Sequence, residues 1–313
     1  MKSLYRNLIL AGTLLAFFGG MAQDSLKQKS NIQQYTPSKL IEKGQVDIKW
    51  FNNLYTQTKS TFSEGTEPRQ TFFTSTFEFY TGVGNNKRVN LGLIARLRSN
   101  VISNRGALEV FSFDGEEGTA RSGLTAIAPS IKFVPFASLS NFSIQSSIFI
   151  PLIDNESEDG ALDTGFNRIR ESVFLEQNGF VWQNRLFYDY TFPGDKWQLF
   201  SELTTEINFG KSAVQDSAGN TIEGSFANNS LNINPGIFLS YFPSSKFTVL
   251  VLAQHSQRLD LGNEFTQDFT ALGGGAKYQL TDALNLEALY TNFVRGSNTG
   301  LGETFNIGLR AIF

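Results

Sequence analysis

The chain has no cysteine and a single histidine among its 313 residues. The absence of cysteine excludes disulfides, thiolate metal sites, cysteine nucleophiles and lipoprotein-type acylation. With His255 as the sole imidazole, a zinc centre or a histidine-based active site is disfavoured, and we expect no metal and no cofactor. A basic excess is also missing, since 26 Lys and Arg stand against 29 Asp and Glu. Nucleic acid is therefore not an expected partner.

Long hydrophobic runs are missing as well. No apolar run reaches the roughly 18 residues that a spanning helix needs. The start of the chain combines a positively charged stretch, a short apolar stretch and a small-x-small sequence at 20–22. This pattern predicts a secretory signal peptide over residues 1–22, with Gln23 as the first residue of the mature chain. The polar residues 23–43 are predicted to form an extended periplasmic lead-in.

What the chain does contain is alternation of apolar and polar residues, which disperses its thirty phenylalanines. In the final stretch FNIGLRAIF, apolar side chains recur at every second position and Arg310 falls on the other face. Segments of this kind, most of them longer than ordinary strands, match tilted crossings of a bilayer. The predicted strands are 45–58, 70–83, 88–101, 124–134, 142–152, 178–192, 196–209, 230–242, 246–257, 268–280, 283–294 and 303–313.

The connections between these segments alternate in length. Tight turns are predicted at 85–87, 193–195, 243–245 and 281–282, with a slightly longer one at 135–141. Longer polar loops are predicted at 59–69, 102–123, 153–177, 210–229, 258–267 and 295–302. Short turns at one end and long loops at the other are typical of bacterial outer-membrane barrels. A soluble β-sandwich would explain the alternation but not the strand lengths, the loop asymmetry or the polar second face.

We therefore predict an all-β fold. Residues 44–313 are expected to form a transmembrane antiparallel up-and-down β-barrel of about 12 strands, with both ends of the barrel on the periplasmic side. The predicted location is the cell outer membrane, reached by export through the signal peptide.

The signal peptide, the alternating strands and the terminal aromatic residue resemble those of Gram-negative outer-membrane β-barrel proteins, over residues 44–313. In that family a C-terminal strand ending in Phe is recognised by the barrel-assembly machinery. The resemblance therefore implies three partners, which are the barrel-assembly machinery, outer-membrane lipid and lipopolysaccharide. The high Phe content and the stretch YTPSKLIEKGQVDIKWFNNLYTQT resemble Bacteroidota-type putative transporters. The residues that the resemblance implies as the assembly signal are Phe305, Ile307, Leu309 and Phe313.

Strand phase also predicts which side chains face the lumen. On the third predicted strand, Leu91 and Leu93 share one face, and Arg96 and Arg98 share the other. Pairing Val294 with Glu303 on the last two strands would place Glu287 opposite Arg310. The residues predicted to line the lumen and set its selectivity are Arg96, Arg98, Lys132, Glu202, Glu206, Glu287 and Arg310.

Two interpretations of this lumen remain open from the sequence. Its charges could line a narrow water-filled pore, or they could close the lumen by pairing with one another. Twelve strands enclose a space between that of filled eight-stranded barrels and open sixteen-stranded porins, which favours a narrow conduit. The leading prediction is a non-enzymatic, porin-like channel or transporter for small solutes of unknown identity. The first alternative is a non-channel barrel that anchors or partners an envelope complex through residues 23–43.

Three further features are predicted to have minor roles. A lipid-modifying enzyme would use His255, but His255 and Ser256 are neighbours and should point to opposite faces. The acidic loop DNESEDGALDTG could ligate calcium, yet it departs from the EF-hand pattern and is predicted to be a solvated surface loop. The glycines at 273–275 lie within a predicted strand, so they are expected to permit a bend in the wall and not to bind phosphate.

Overall fold

The computed structural model describes residues 37–153, 173–177, 179–210, 214–215, 221–223, 229–261 and 266–313. The predicted signal peptide, residues 23–36 and the acidic loop at 154–165 lie outside these ranges. None of the helical segments in the described part of the chain is long and apolar enough to cross a membrane.

Twelve long antiparallel strands dominate the described residues. They are labelled in chain order as β1 (Val46–Gln57), β2 (Gln70–Val83), β3 (Val89–Val101), β4 (Ala120–Phe133), β5 (Phe142–Pro151), β6 (Val181–Thr191), β7 (Trp197–Asn208), β8 (Ser230–Tyr241), β9 (Phe247–Asp260), β10 (Gln267–Gln279), β11 (Leu284–Ser297) and β12 (Glu303–Ile312).

Each strand pairs with its neighbours in the sequence, and the last strand pairs with the first. The closing ladder between β1 and β12 runs from Asp47 opposite Ile312 to Thr56 opposite Glu303. Beyond that ladder, the backbones of Val46 and Phe313 exchange two hydrogen bonds, of 3.0 and 2.9 Å. The predicted twelve-stranded up-and-down barrel is therefore confirmed.

The predicted loop asymmetry is only partly correct. The barrel has a short-turn end, where β1 begins and β12 ends, and a long-loop end that carries the connections 58–69, 102–119, 152–180 and 209–229. The last two connections at the long-loop end, 261–266 and 298–302, are as short as the turns opposite. The strands β9 and β11 extend past the predicted ends because backbone pairing with their neighbours continues through polar residues, as for Ser230 opposite Asp260.

The outer wall of the barrel carries an exposed apolar belt. Every long strand contributes to it, and Val251 and Ile307 are 58% and 57% exposed. An apolar surface of this extent exceeds what water-soluble monomers expose and matches a lipid environment. Each strand contributes at least one large exposed hydrophobic residue. From β1 to β12, examples are Trp50, Phe77, Leu93, Ile131, Ile148, Trp182, Leu203, Ile237, Val251, Leu272, Tyr290 and Ile307.

The last strand shows the predicted alternation in part. Phe305 and Ile307 are exposed on the outer wall, Leu309 is partly buried, and Ala311 is buried. Arg310 lies on the inner side, where it contacts a carboxylate of β1. A role of the outward residues in recognition by the assembly machinery stays a prediction.

Aromatic side chains cluster on the outer wall near the short-turn end. The rings of Trp197 and Tyr241 lie 4.7 Å apart, and those of Phe247 and Tyr278 lie 6.5 Å apart. Tyr190, near the end of β6, is also exposed. Tyr and Trp concentrate at bilayer interfaces because one end of the side chain is apolar and the other forms hydrogen bonds. This arrangement marks a boundary of the apolar belt.

The glycines of β10 allow a close approach of backbones. A Cβ atom on Gly273 would lie 2.0 Å from the carbonyl oxygen of Tyr290, and one on Gly275 would lie 2.1 Å from that of Ala288. Such contacts are sterically forbidden, so β10 and β11 can pack this way only where side chains are absent. The glycines therefore serve the shape of the wall.

A charge on the apolar belt tests whether lipid covers it. We expect Ile307→Lys to lower the unfolding free energy in lipid by about 2–4 kcal/mol, because the ammonium would face hydrocarbon. The matched control is Leu108→Lys, at a residue 72% exposed in the short 3-10 helix of the 102–119 connection. Reversible denaturant unfolding in vesicles measures both. Equal stability of the two variants would contradict a lipid-facing belt.

Candidate functional site

Two large adjacent cavities lie in the part of the barrel interior that the structure describes. The larger has a volume of about 530 Å³ and the second about 410 Å³. Both are lined by Phe51, Asn53, Thr76 and Arg96, so they meet in the middle of the lumen. The larger extends to Pro37 at the short-turn end, and the second extends to the 173–177 segment at the long-loop end.

The structure places the predicted lumen residues inside the wall. Arg96, Glu202 and Glu287 line the larger cavity, and Arg98 and Glu206 line the second. A role of any of these residues in solute selectivity stays a prediction. The two remaining residues, Lys132 and Arg310, make buried contacts near the short-turn end.

Arg310 forms a two-pronged ion pair across the strands that close the barrel. Its Nε donates to Asp47 Oδ1 at 2.9 Å, and its Nη2 donates to Asp47 Oδ2 at 2.6 Å. The two side chains are only 11% and 12% exposed. A paired guanidinium and carboxylate of this geometry is stronger than a single neutral hydrogen bond and fixes orientation. It therefore locks the register of β12 against β1.

The predicted pairing of Glu287 with Arg310 is wrong. The register of β11 on β12 places Asn285 opposite Arg310 and Glu287 opposite Gly308, a shift of two residues. Glu287 instead forms an ion pair with Lys277 of β10. A shift by two keeps every side chain on its predicted face but exchanges its partner, because side-chain direction in a strand has a period of two.

A second ion-pair group spans the lumen. Arg185 of β6 donates from Nε to Glu202 of β7 at 2.8 Å, and its Nη1 lies 3.7 Å from Glu78 of β2. The strands β2 and β6 are not neighbours in the sheet. The guanidinium therefore crosses the interior and narrows the lumen at this level. Thr204 adds a 2.7 Å hydrogen bond to the same Glu202 carboxylate.

A segment from the long-loop end folds inward onto β3. Arg96 Nη1 lies 2.9 Å from Glu176 Oε2, and Arg98 Nη2 lies 3.1 Å from the same atom. Arg98 also donates to the carbonyl of Leu175 at 2.9 Å, and Asn100 donates to that of Phe174 at 2.7 Å. The two arginines that were predicted to form a selectivity ladder thus anchor a segment inside the lumen.

Glu176 is held as a carboxylate by these arginines. Burial alone would raise its pKa, but the guanidinium groups of Arg98 and Arg96 outweigh burial and hold the pKa of this carboxyl below its usual range. The negative charge on Glu176 is therefore present at neutral pH and compensates two buried cations.

The described end of the predicted lead-in, residues 37–43, enters the short-turn end of the barrel. The ammonium of Lys132 donates to the carbonyl oxygens of Pro37 and Lys39. Ser38 donates to Asp189, and the Lys39 ammonium lies 3.2 Å from the same carboxylate. Ser38 is fully buried, so this segment occupies the barrel mouth and does not project from it.

The larger cavity also has an apolar arc, which the strand-phase analysis did not single out. It runs along β7 to β11, on the same inward face as the polar residues of those strands. Phe200, for example, is in phase with the inward-facing Glu202, which is the signal that could have identified the arc. Its members are Phe200, Phe238, Leu250, Leu252, Phe269, Leu289 and Phe293.

His255 and Ser256 have separate surroundings. His255 Nδ1 lies 3.0 Å from the hydroxyl of Thr270, whereas Ser256 donates to Asn234 Oδ1 at 2.6 Å. Asn234 is on the inward face of β8, so the two adjacent side chains of β9 point in opposite directions. A histidine that activates a serine must contact it, and these two do not share a face.

The fold is similar to those of solved outer-membrane barrels. An outer-membrane channel from Pseudomonas putida F1 aligns with a TM-score of 0.61 and 11% identity, covering 88% of this chain and 98% of that protein. The β domain of the Bordetella autotransporter BrkA aligns with a TM-score of 0.53 and 15% identity, covering 85% and 98%. No protein-family model and no curated protein sequence matches the chain.

At these identities the comparisons show the fold alone. The fold is that of Gram-negative outer-membrane barrels, as the sequence predicts. The narrower resemblance to Bacteroidota-type proteins stays a prediction.

Breaking the closing ion pair should be costly. We expect Arg310→Met or Asp47→Asn to lower the unfolding free energy by about 3–5 kcal/mol, because each leaves a buried charge without its partner. The double variant should recover much of this loss, since neither charge then remains. Denaturant unfolding of the four proteins in vesicles gives the coupling energy. Strictly additive losses would contradict a coupled pair.

The inward segment can be tested by its accessibility. In a Leu175→Cys variant the new thiol should react slowly with a maleimide, because Leu175 is 1% exposed. Adding Glu176→Gln should speed labelling several-fold, since Arg96 and Arg98 then lose their carboxylate. The absence of native cysteine makes the labelling specific. A Leu108→Cys control should react equally fast with and without Glu176→Gln, and unchanged Leu175→Cys labelling would refute this anchor.

Proposed function

We propose that the protein is an outer-membrane channel that passes small solutes through its lumen. The observation that carries this proposal is the pair of cavities, of about 530 and 410 Å³, that meet in the middle of the barrel. An interior built only to stabilise a barrel would be filled with packed side chains, as in eight-stranded barrels. The similarity of fold to an outer-membrane channel agrees with the proposal.

The proposed orientation follows from the two ends of the barrel. The apolar belt lies in the outer membrane, the short-turn end faces the periplasm and the long-loop end faces the outside. Export through the predicted signal peptide would bring the chain to this location. Outer-membrane lipid and lipopolysaccharide are then its proposed surroundings.

The two internal segments are the proposed gates. Residues 37–43 stand at the periplasmic mouth and residues 173–177 stand below the outer mouth. Both are held by polar contacts that water can replace, as with Lys132 on two backbone carbonyls, beside a few buried apolar side chains such as Ile41 and Leu175. A gate of this kind can move without breaking the sheet, because backbone pairing of the twelve strands does not depend on it.

The alternatives receive less support from the described residues. A barrel that recruits an envelope partner through residues 23–43 would need that segment outside, yet residues 37–43 contact the inner wall. A lipid-modifying enzyme would need His255 and Ser256 on one face, and they lie on opposite faces. The channel therefore remains the function that the geometry favours.

Conductance in planar lipid bilayers tests the channel and its periplasmic gate together. We expect the refolded mature chain to carry a small, steady current. Lys132→Met should raise the mean current several-fold, because it removes the ammonium that holds the carbonyls of Pro37 and Lys39. Lys246→Met is the matched control, since it removes an exposed ammonium from the 242–246 turn and leaves the contacts of residues 37–43 unchanged.

A correctly folded barrel that carries no current, with or without Lys132→Met, would overturn the channel proposal. A current that is identical in Lys132→Met and the parent protein would retain the channel but exclude residues 37–43 as its gate.

A further inference from the structure

The cations that line the larger cavity differ in how they are compensated. Arg96 contacts Glu176, Arg185 contacts Glu202 and Glu78, and Lys277 contacts Glu287. The fourth cation is Lys49 of β1. Among the described residues, its ammonium has no hydrogen bond and no direct ion pair. Its Nζ lies 5.2 Å from the centre of the Phe51 ring, and Glu202, Glu287 and Asp47 interact with it electrostatically from a longer distance.

The carboxylates near Lys49 form their direct ion pairs with other cations. Its cross-strand neighbour on β2 is Glu78, which shares Arg185 with Glu202. Asp47, on the same strand, is held by Arg310. Charged side chains of both signs line the cavity, with four cations and three anions, and these are Lys49, Arg96, Arg185, Lys277, Glu78, Glu202 and Glu287.

The position of Lys49 makes its ammonium available to a solute. It is only partly buried, and it lines both the 530 Å³ cavity and a small 60 Å³ cavity next to Pro37. An ammonium group needs anionic or oxygen acceptors once it leaves bulk water, and an aromatic face satisfies it only in part. An anion that enters the lumen therefore meets one ammonium whose N–H donors are not already bound to a carboxylate.

The remainder of the cavity suits an apolar body. The apolar arc of β7 to β11 supplies aromatic and aliphatic side chains, among them Phe238 and Leu250. Binding sites for small molecules combine such a wall with a few placed polar groups that fix orientation. Here the apolar arc and the ammonium of Lys49 border the same cavity, and polar residues such as Glu202 and Glu287 lie between the members of the arc.

We propose that the larger cavity binds small organic anions that have an apolar body, with the carboxylate on Lys49 and the body against the apolar arc. This inference rests on the proposed channel function and specifies its substrate class. Small hydrophilic anions can contact only Lys49, and uncharged aromatic compounds can contact only the apolar arc. Both should therefore bind more weakly than a molecule that has a carboxylate and an apolar body.

Isothermal titration calorimetry on the refolded mature chain in lipid nanodiscs tests the proposal, with empty nanodiscs as the baseline. The probes are benzoate, acetate and benzyl alcohol. Benzoate should bind saturably, and acetate and benzyl alcohol should each bind about tenfold more weakly, since each loses one of the two contributions.

Two variants test whether Lys49 supplies the charged contact and Phe238 the apolar contact. Lys49→Met should weaken benzoate binding by about tenfold or more, through loss of the charge-assisted contact. Its control is Lys246→Met, which makes the same change at an exposed turn outside the cavity. Phe238→Ala should weaken the binding of benzoate but not that of acetate. Heat-modifiable migration in gels verifies that each variant folds.

The outcomes separate this inference from the channel proposal. Unchanged benzoate affinity in Lys49→Met, no saturable binding of benzoate, or equal binding of benzyl alcohol would each overturn the proposed substrate class. The absence of current in planar bilayers would instead overturn the channel function, and calorimetry would still decide whether Lys49 binds the anion.

Discussion

Closure of β12 on β1 is the interaction on which the rest of the structure depends. A backbone amide or carbonyl that is left unpaired in lipid costs several kcal/mol, so a sheet in a bilayer must have no edge. The ladder between β1 and β12 removes the edge, and the backbone of Phe313 completes it by pairing with Val46. The Asp47–Arg310 ion pair fixes the register of this final joint.

Closure of the barrel also requires the inward charged side chains to find partners of opposite charge. Once the wall is complete, each inward charge is removed from bulk water and must find compensation inside. Pairs form between neighbouring strands, as for Lys277 and Glu287, and also across the lumen, as for Arg185 and Glu78. The same requirement accounts for the inward loop segment, because Arg96 and Arg98 form their direct ion pairs with Glu176, which enters the barrel.

The sequence alone predicts the barrel, but it does not predict which side chains contact one another inside it. Alternation predicted all twelve strands and the face of Arg310 because the two-residue period is a local property of the chain. It gave Glu287 the wrong partner, because the register of β11 on β12 differs by two residues from the predicted one without changing any face, and the true partner, Lys277, lies on the other neighbouring strand. The inward path of residues 37–43 has no periodicity and depends on Lys132 and Asp189, which are distant in sequence. Such contacts become visible only in three dimensions.

The pairing of lumen charges changes which of them can select a solute. A cation bound to a carboxylate presents a dipole to the lumen, and its field falls off quickly compared with that of a free charge. Most of the residues that the sequence predicts to set selectivity belong to such pairs. Arg96 and Arg98 are compensated by Glu176, and Glu202 is compensated by Arg185. We infer that a channel of this kind selects solutes through the few charged groups that make no direct ion pair. Lys49 is the proposed example in the larger cavity, because it makes no direct ion pair among the described residues and borders the same cavity as an apolar arc that a purely hydrophilic pore would not require.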